Sequence, residues 1–449
     1  MRSFINTIRN IIKIEELWTR ILYTLFIIVI YRLGSFITLP GIDPTHIVDS
    51  DLQDQTKEGV LGLLDMFSGG AFSNASVFAL GIMPYISASI VVQLLGIAVP
   101  FFQRLQREGE SGRRKMNQIT RYLTVGILLI QAPSYVANLY AQIRPEAFLI
   151  QNRTLFTAIA MITLTGGTMF VMWLGEKITD KGIGNGISLI IMIGIIARLP
   201  FAATAEFAAR LESMGGGMVA FLIEIIFLFL VFVVSILLVQ GTRKIPVQYA
   251  KRIVGNKQYG GVRQYIPLKV NAAGVMPIIF AQAIMFIPVT LVGFASTESL
   301  SGIALAFADF NGFWYNLTFA FLIVIFTYFY TAITINPTQM AEDMKKNGGF
   351  IPGVKPGRKT VEYLDGIMSK ITLPGSLFLA FVAILPALAR HGGVGTQFAQ
   401  FYGGTSLLIL VGVVLDTLQQ IESHLLMRHY DGLMKSGRIK GRSGTTASV

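Results

Sequence analysis

Long, nearly uninterrupted apolar runs alternate with polar connections along the chain, and ten of the runs reach spanning length. They fall near 21–40, 76–98, 119–141, 154–175, 183–200, 218–240, 272–294, 314–335, 371–390 and 403–425. A helix crossing a bilayer needs roughly 20 apolar residues, so each run predicts one spanning helix. The stretch Val60–Leu95 breaks the pattern. Its first apolar piece, Leu61–Phe67, is too short to cross and ends at Ser68-Gly69-Gly70, with a spanning helix expected to begin near Asn74–Ser76. Facing lipid, such a break would leave backbone N–H and C=O groups without partners; it survives only where protein or a water-filled cavity receives it. The chain is therefore expected to enclose a cavity, with the short piece inside.

Within the second run, Ile82, Ile86 and Ile90 recur every four residues and share a helix face, with Gln93 near the same face and Gly81 and Pro84 loosening the helix around them. Periodicity alone is better explained by ordinary packing, since isoleucine stripes occur in any span. A constriction below an aqueous funnel is the alternative. Three glycines open the fifth run at Gly182, Gly184 and Gly186, and Gly274, Pro277, Gln282 and Pro288 predict a kinked seventh helix. The tenth begins Gly403-Gly404-Thr405-Ser406. For any one of these positions, tight helix packing is the first explanation.

Composition sharpens the class. Hydrophobic residues make up 53% and charged residues only 14%, which excludes a soluble globular chain and a disordered one. Without cysteine there is neither disulfide nor thiol chemistry, and His46, His391, His424 and His429 lack metal-ligand spacing. No cleavable signal peptide is read at the N-terminus. Instead Phe4, Ile5, Ile8, Ile11, Ile12 and Leu17, with Arg2, Arg9 and Lys13 between, predict an amphipathic interfacial helix over residues 1–20. Placing the N-terminus and every even connection on one side collects 30 of the 37 Lys and Arg there. Basic loops stay in the cytoplasm, so both termini are expected there and the acidic loop 41–60 outside. Arg32, Glu224 and Asp416 fall inside runs, and Asp416 is read as the buried charge in search of a partner. Neither paired carboxylates nor an acid–histidine chain is visible.

Two connections on the basic side exceed the roughly 15 residues beyond which loops are usually functional or disordered. In 241–271, alternation around Lys244–Ala250 and a turn at Tyr259-Gly260-Gly261 predict a basic β-hairpin. In 336–371, a short helix is expected before Gly348-Gly349 and another after Arg358, with Pro352, Gly353, Pro356 and Gly357 shaping the tip between. The tip Gly353–Thr360, GVKPGRKT, lacks phosphate-loop spacing because Arg358 separates Gly357 from Lys359, and no strand precedes it. Both loops read as docking surfaces for a cytoplasmic partner that brings the energy source.

Six runs in correct order carry a resemblance: 66–95 (MFSGGAFSNASVFALGIMPYISASIVVQLL), 108–122 (EGESGRRKMNQITRY), 165–191 (TGGTMFVMWLGEKITDKGIGNGISLII), 266–281 (IPLKVNAAGVMPIIFA), 336–360 (NPTQMAEDMKKNGGFIPGVKPGRKT) and 401–409 (FYGGTSLLI). In these, and along nearly its whole length, the chain closely resembles the SecY family of protein-translocation channels.

The resemblance implies an all-α membrane protein of ten spans in two five-helix halves with inverted pseudo-symmetry, here 21–205 and 206–426, followed by a basic tail 427–449. It implies a re-entrant plug over 61–73, with Leu61, Leu64, Met66, Phe67, Ser68, Gly69 and Gly70, sealing an external funnel. A pore ring of Ile82, Ile86, Ile191, Ile279 and Ile409 would form the waist, which favours the constriction for the Ile82/Ile86 face. The second and third spans against the seventh and eighth would form a lateral gate, with Ser87, Gln93 and Asn271 as its polar residues. Lys251, Arg252, Lys257, Lys355, Arg358 and Lys359 would dock the SecA motor and the ribosome. The family carries arginine where Lys355 stands, so either a point charge suffices there or Arg358 has taken the contact over. The implied protein is a passive channel, without cofactor or catalysis, in the bacterial plasma membrane. Its implied partners are SecE, SecG, SecA, the ribosome and signal-bearing polypeptides, with SecDF and YidC as further associates. A small-solute secondary transporter is the competing function, resting on the broken helices alone.

Overall fold

The computed structural model describes residues 14–45, 65–143, 145–212, 217–249, 252–254, 257–259, 263–282, 284–285 and 312–435. The first helix, α1 (Glu15–Gly34), is followed after the irregular segment 65–82 by α2 (Met83–Ala98), α3 (Pro100–Arg107), α4 (Glu110–Gln142) and α5 (Arg153–Lys181). Next come α6 (Gly186–Glu212) and α7 (Gly217–Gln240). Strands β1 (Thr242–Tyr249), β2 (Arg252–Val254), β3 (Lys257–Tyr259) and β4 (Arg263–Lys269) form the first long loop. The chain ends with α8 (Phe313–Thr334), α9 (Pro337–Lys346), β5 (Gly349–Phe350), α10 (Arg358–His391), α11 (Thr396–Ala399) and α12 (Gly404–Lys435).

Among the described residues, eight helices are long and apolar enough to cross a membrane, and α2 with α3, bent by 100°, makes a ninth candidate. The bend falls at Val99, where Pro100 opens α3 at its first turn, a position that needs no N–H bond. Of the seventh run, 276–282 are helical and residues beyond 285 lie outside the described set. Leu61 and Leu64, the interfacial helix before Ile14, Lys251 and the tail beyond Lys435 also lie outside it.

Polar residues end helices or satisfy themselves within them. Asn152 caps α5 by accepting from the N–H groups of Thr154 and Leu155, and Asn336 caps α9 through Thr338 and Gln339, ahead of Pro337. Inside spans, Thr163, Thr327 and Thr372 donate to carbonyls one turn back, so their hydroxyls cost little in an apolar setting. Three apolar clusters build the bundle. One joins residues 39–164, a second residues 231–415, and a central one draws on α1, α2, α5, α6, α11 and α12 together with Met66 and Phe67.

Two expected helix limits move. The second span starts at Met83, not at Asn74–Ser76, because Ala75 and Gly81 have positive φ and residues 71–82 run as successive turns. Segment 37–39 satisfies their backbone: Leu39 N–H donates to Ala75 O at 2.9 Å and Val77 N–H to Ile37 O at 2.9 Å. The fifth helix, expected to stop at 200, continues through Pro200 to Glu212. Pro200 lies inside this helix, as Pro133 lies inside α4 and Pro374 and Pro386 inside α10; such prolines are tolerated in membrane-spanning helices.

A small sheet qualifies the all-α reading at one end of the bundle. Strands β1 and β4 pair antiparallel with Ile245 opposite Ile266, and β2 pairs with β3 through Val254 opposite Lys257. The hairpin therefore reverses between Val254 and Lys257, not at Tyr259–Gly261, since Tyr259 is already paired with Arg252. Pro267 lies in the edge strand β4, and Pro246 lies where β5 does not reach β1, the placements that spare a sheet its missing N–H groups. Strand β5 adds to β1 at Gln248 and Tyr249, which joins the two long loops. Ile245, Val247 and Leu268 of the first loop and Ala341, Met344, Ile351, Leu364 and Met368 of the second share one core. The two loops are one module.

Candidate functional site

The five isoleucines come from four segments and enter a single apolar cluster. Ile82 precedes α2 and its carbonyl accepts from Ile86 N–H at 3.1 Å, Ile191 lies on α6, Ile409 on α12, and Ile279 on the described part of the seventh run. Ile82, Ile191 and Ile409 are buried, while Ile86 and Ile279 are partly buried against the same cluster. Met66 and Phe67 belong to it as well, so the short broken piece packs onto the isoleucines.

Beyond Phe67 the chain makes a compact turn with few unmet polar groups. Gly70 N–H donates to Asp65 O at 2.9 Å, Ser68 Oγ to Asp65 O at 3.0 Å, and Ser73 N–H to Asp65 Oδ1 at 2.8 Å. Gly69 and Gly70 have φ of +67° and +94°, left-handed values that glycine adopts without strain. A Cβ at Gly69 would stand 2.9 Å from Gly194 Cα of α6, so this contact is backbone against backbone. Four side chains from the bundle close the turn. Tyr31 Oη donates to Ser68 O at 3.2 Å, Arg32 Nη1 to Gly69 O at 2.5 Å and Tyr135 Oη to Phe72 O at 2.9 Å, and Arg198 pairs with Asp65. Along α6, Arg198 lies seven residues past Ile191, about 10 Å at 1.5 Å per residue. Since α6 ends where α7 begins, and α7 runs back to β1, the turn sits on the side of the isoleucines away from the sheet.

Of the gate candidates, Ser87 donates to Met83 O at 3.1 Å and Gln93 to Ser89 Oγ at 3.4 Å, both within α2. Asn271 is buried, and its Oδ1 finds no hydrogen bond among the described residues. The structure records no bond between any two of the three. At the sheet end, Lys355, Arg358 and Lys359 are exposed. Arg358 Nε and Lys359 Nζ both reach Glu362, at 3.4 and 3.1 Å, whereas Lys355 makes no ion pair among the described residues. Arg252 and Lys257 lie on the β2–β3 hairpin.

The intramembrane charges differ from expectation. Asp416 is exposed on α12, not buried. Besides Asp65, the buried carboxylates among the described residues are Glu206 of α6 and Glu224 of α7, brought onto Arg210. Paired acids were invisible in the sequence because the fifth helix was expected to end six residues before Glu206. Arg198, Tyr31 and Tyr135 were missed too. One signal was available: Asp65 is the only charged residue between Leu61 and Ile82, and a lone carboxylate in an apolar segment demands a partner.

Known proteins fit this geometry. A family model described as SecY matches residues 76–418. The chain is 43% identical over 432 residues to the protein translocase subunit SecY of Streptomyces coelicolor, covering 94% of this chain and 98% of that protein. It is 42% identical over 452 residues to the one from Mycobacterium tuberculosis, covering 97% and 100%. Among solved structures, a protein-conducting channel superposes with a TM-score of 0.58 at 19% identity, covering 90% of this chain and 91% of the other. A SecY structure, whose plug domain is described as stabilising the closed channel and maintaining a membrane seal, gives 0.60 at 19% identity with the same coverage. The channel of a canine ribosome–channel complex from the endoplasmic reticulum gives 0.56 at 19% identity, again over 90% and 91%. The structural likenesses establish an all-α membrane channel fold, and the sequence relatives carry the identity: this chain belongs to the SecY family.

Proposed function

We propose that this Sec protein-conducting channel subunit holds its conduit shut with two barriers in series, an isoleucine waist and the plug turn packed on it. The family assigns a channel subunit, not an enzyme and not a small-solute carrier. The observation that carries the two-barrier reading is the single apolar cluster shared by Ile82, Ile86, Ile191, Ile279, Ile409, Met66 and Phe67. An apolar ring excludes ions by dewetting, yet its side chains can part around an extended polypeptide. The turn 65–73 adds a second layer whose own polar groups are largely satisfied, so it can seat without exposing backbone to lipid. Side chains leaving the waist laterally would pass Ser87, Gln93 and Asn271 toward the bilayer.

The joined loops form the docking module in this reading. Thirty of the 37 Lys and Arg fall on its side of the membrane, which puts it and both termini in the cytoplasm of a bacterial cell by the positive-inside rule. Its partners are SecA and the ribosome, with SecE and SecG as companion subunits. A ribosome-bound structural neighbour supports the ribosome as one of them. The direct test is reconstitution of the chain with SecE and SecG in vesicles, adding SecA, ATP and a signal-bearing precursor. Protease-protected precursor is the expected result. Absence of protection with the complex intact would sink the reading.

Of the three basic residues at the tip, Lys355 is exposed and without an ion pair among the described residues, whereas Arg358 shares Glu362 with Lys359. Lys355→Glu is therefore expected to weaken SecA-stimulated translocation about tenfold, the factor carried by ~1.4 kcal/mol, while Arg358→Glu acts less. Equal losses in SecA binding for the two variants would count against Lys355 as the principal contact.

A further inference from the structure

We propose that Arg198 is the latch of the plug turn, and that its pairing with Asp65 sets how often the channel leaks at rest. The inference rests on the plug reading above and names the residue that controls it. Arg198 Nη2 binds both ends of the turn at once, the Asp65 carboxylate at its start and Ser73 Oγ, at 2.6 Å, near its end. Asp65 Oδ1 is meanwhile held by Ser73 N–H at 2.8 Å, so carboxylate, hydroxyl and guanidinium form one closed unit. The guanidinium also lies flat against Gly70. A Cβ there would meet Arg198 Nη2, Cζ and Nε at 2.9 to 3.1 Å, so the glycine makes room for the arginine. Arg32, from α1, holds the next carbonyl at Gly69.

The charges make this contact the costly one to break. Tyr31 and Tyr135 offer the turn neutral hydrogen bonds that water can replace, and the Arg32 cation meets only an uncharged carbonyl there, at Gly69. The Arg198–Asp65 pair is charge-assisted and partly buried, with side-chain exposures of 29% and 12%. Moving the turn away from α6 separates the two charges and leaves Arg198 beside Arg32 without its carboxylate. Arg198 Nε has no hydrogen bond among the described residues, which leaves Nη2 as the group that carries the grip. Arg198 is thus a positioning residue: it acts on conduction through the turn.

The test is a charge cycle read by ion conductance of the reconstituted complex in planar bilayers. Arg198→Gln and Asp65→Asn are each expected to raise resting conductance about tenfold, the change one charge-assisted contact of ~1.4 kcal/mol supplies. The double variant should leak no more than either single one, and the swap Arg198→Asp with Asp65→Arg should reduce the leak. In a channel lacking 61–73, Arg198→Gln should add nothing. Because the chain has no cysteine, Ser68→Cys gives a second readout. Ser68 is buried, so maleimide labelling should be slow in the parent and faster with Arg198→Gln. Additive leaks, or a further rise from Arg198→Gln in the deleted channel, would overturn the latch. If removing 61–73 itself leaves conductance unchanged, the plug reading fails instead, which keeps the two failures apart.

Discussion

Replacing Arg210 by glutamine is expected to destabilise the end of the bundle away from the sheet by roughly 3–5 kcal/mol, the cost of removing one partner from a buried charge cluster. Arg210 Nε donates to Glu206 Oε1 at 3.1 Å, and Nη2 holds Glu224 and Gly393 O, the latter at 2.6 Å. Glu206 Oε2 accepts Gly395 N–H at 2.9 Å, and Tyr402 Oη donates to Glu224 O at 2.8 Å. One guanidinium therefore ties α6, α7 and the turn after α10 together. Without it, two carboxylates stay buried beside each other, and Glu224 Oε2 already lacks a hydrogen bond among the described residues. Arg210→Lys should recover part of the loss, because one ammonium cannot reproduce the forked geometry. Changing all three residues to glutamine should cost less than the single change, since no unpaired charge remains. Thermal unfolding of the purified complex in detergent decides this. A single variant as stable as the parent would mean that Glu206 and Glu224 are not held as carboxylates by Arg210.

Deleting residues 61–73 is expected to raise resting ion conductance severalfold while leaving membrane insertion of the chain intact. The deletion removes Met66 and Phe67 from the cluster around the isoleucines and opens the space beside Gly194, where Phe67 O now approaches the backbone. The isoleucine waist stays, so the deleted channel should flicker and not remain fully open. Helices α1, α4 and α6 keep their packing on other helices, which is why folding should survive. Conductance traces indistinguishable from the parent would argue that the turn seals nothing.

Much of this architecture is legible locally. Apolar runs located eight described spans, the short helix expected before Gly348-Gly349 is α9, and alternation around Lys244 marked β1. The break at Ser68-Gly69-Gly70 was visible because it ends an apolar piece too short to cross; the pair Gly166-Gly167, in a full-length run, leaves α5 unbroken. The limits of helices were less legible. Residues 71–82 are apolar enough for a helix, yet partners at Ile37 and Leu39 let them run as turns. The fifth apolar run ends near 200, yet α6 continues past it and carries Glu206 and Arg210 to their partners.

By itself, then, the sequence determined the membrane class, the placement of most spans, the basic side and the existence of an interrupted segment. Each of these depends on hydrophobicity or backbone preference over a window of neighbouring residues, which is where sequence periodicity carries information. Tertiary structure alone decided that Asp65 meets Arg198, that Glu206 and Glu224 share Arg210, that β5 joins the two basic loops, and that isoleucines from four segments converge. Those pairings link residues far apart in the chain, 133 positions in the case of Asp65 and Arg198. The cost of burying an unpaired charge or backbone group makes partners obligatory, but only the packed bundle selects which partner each one finds.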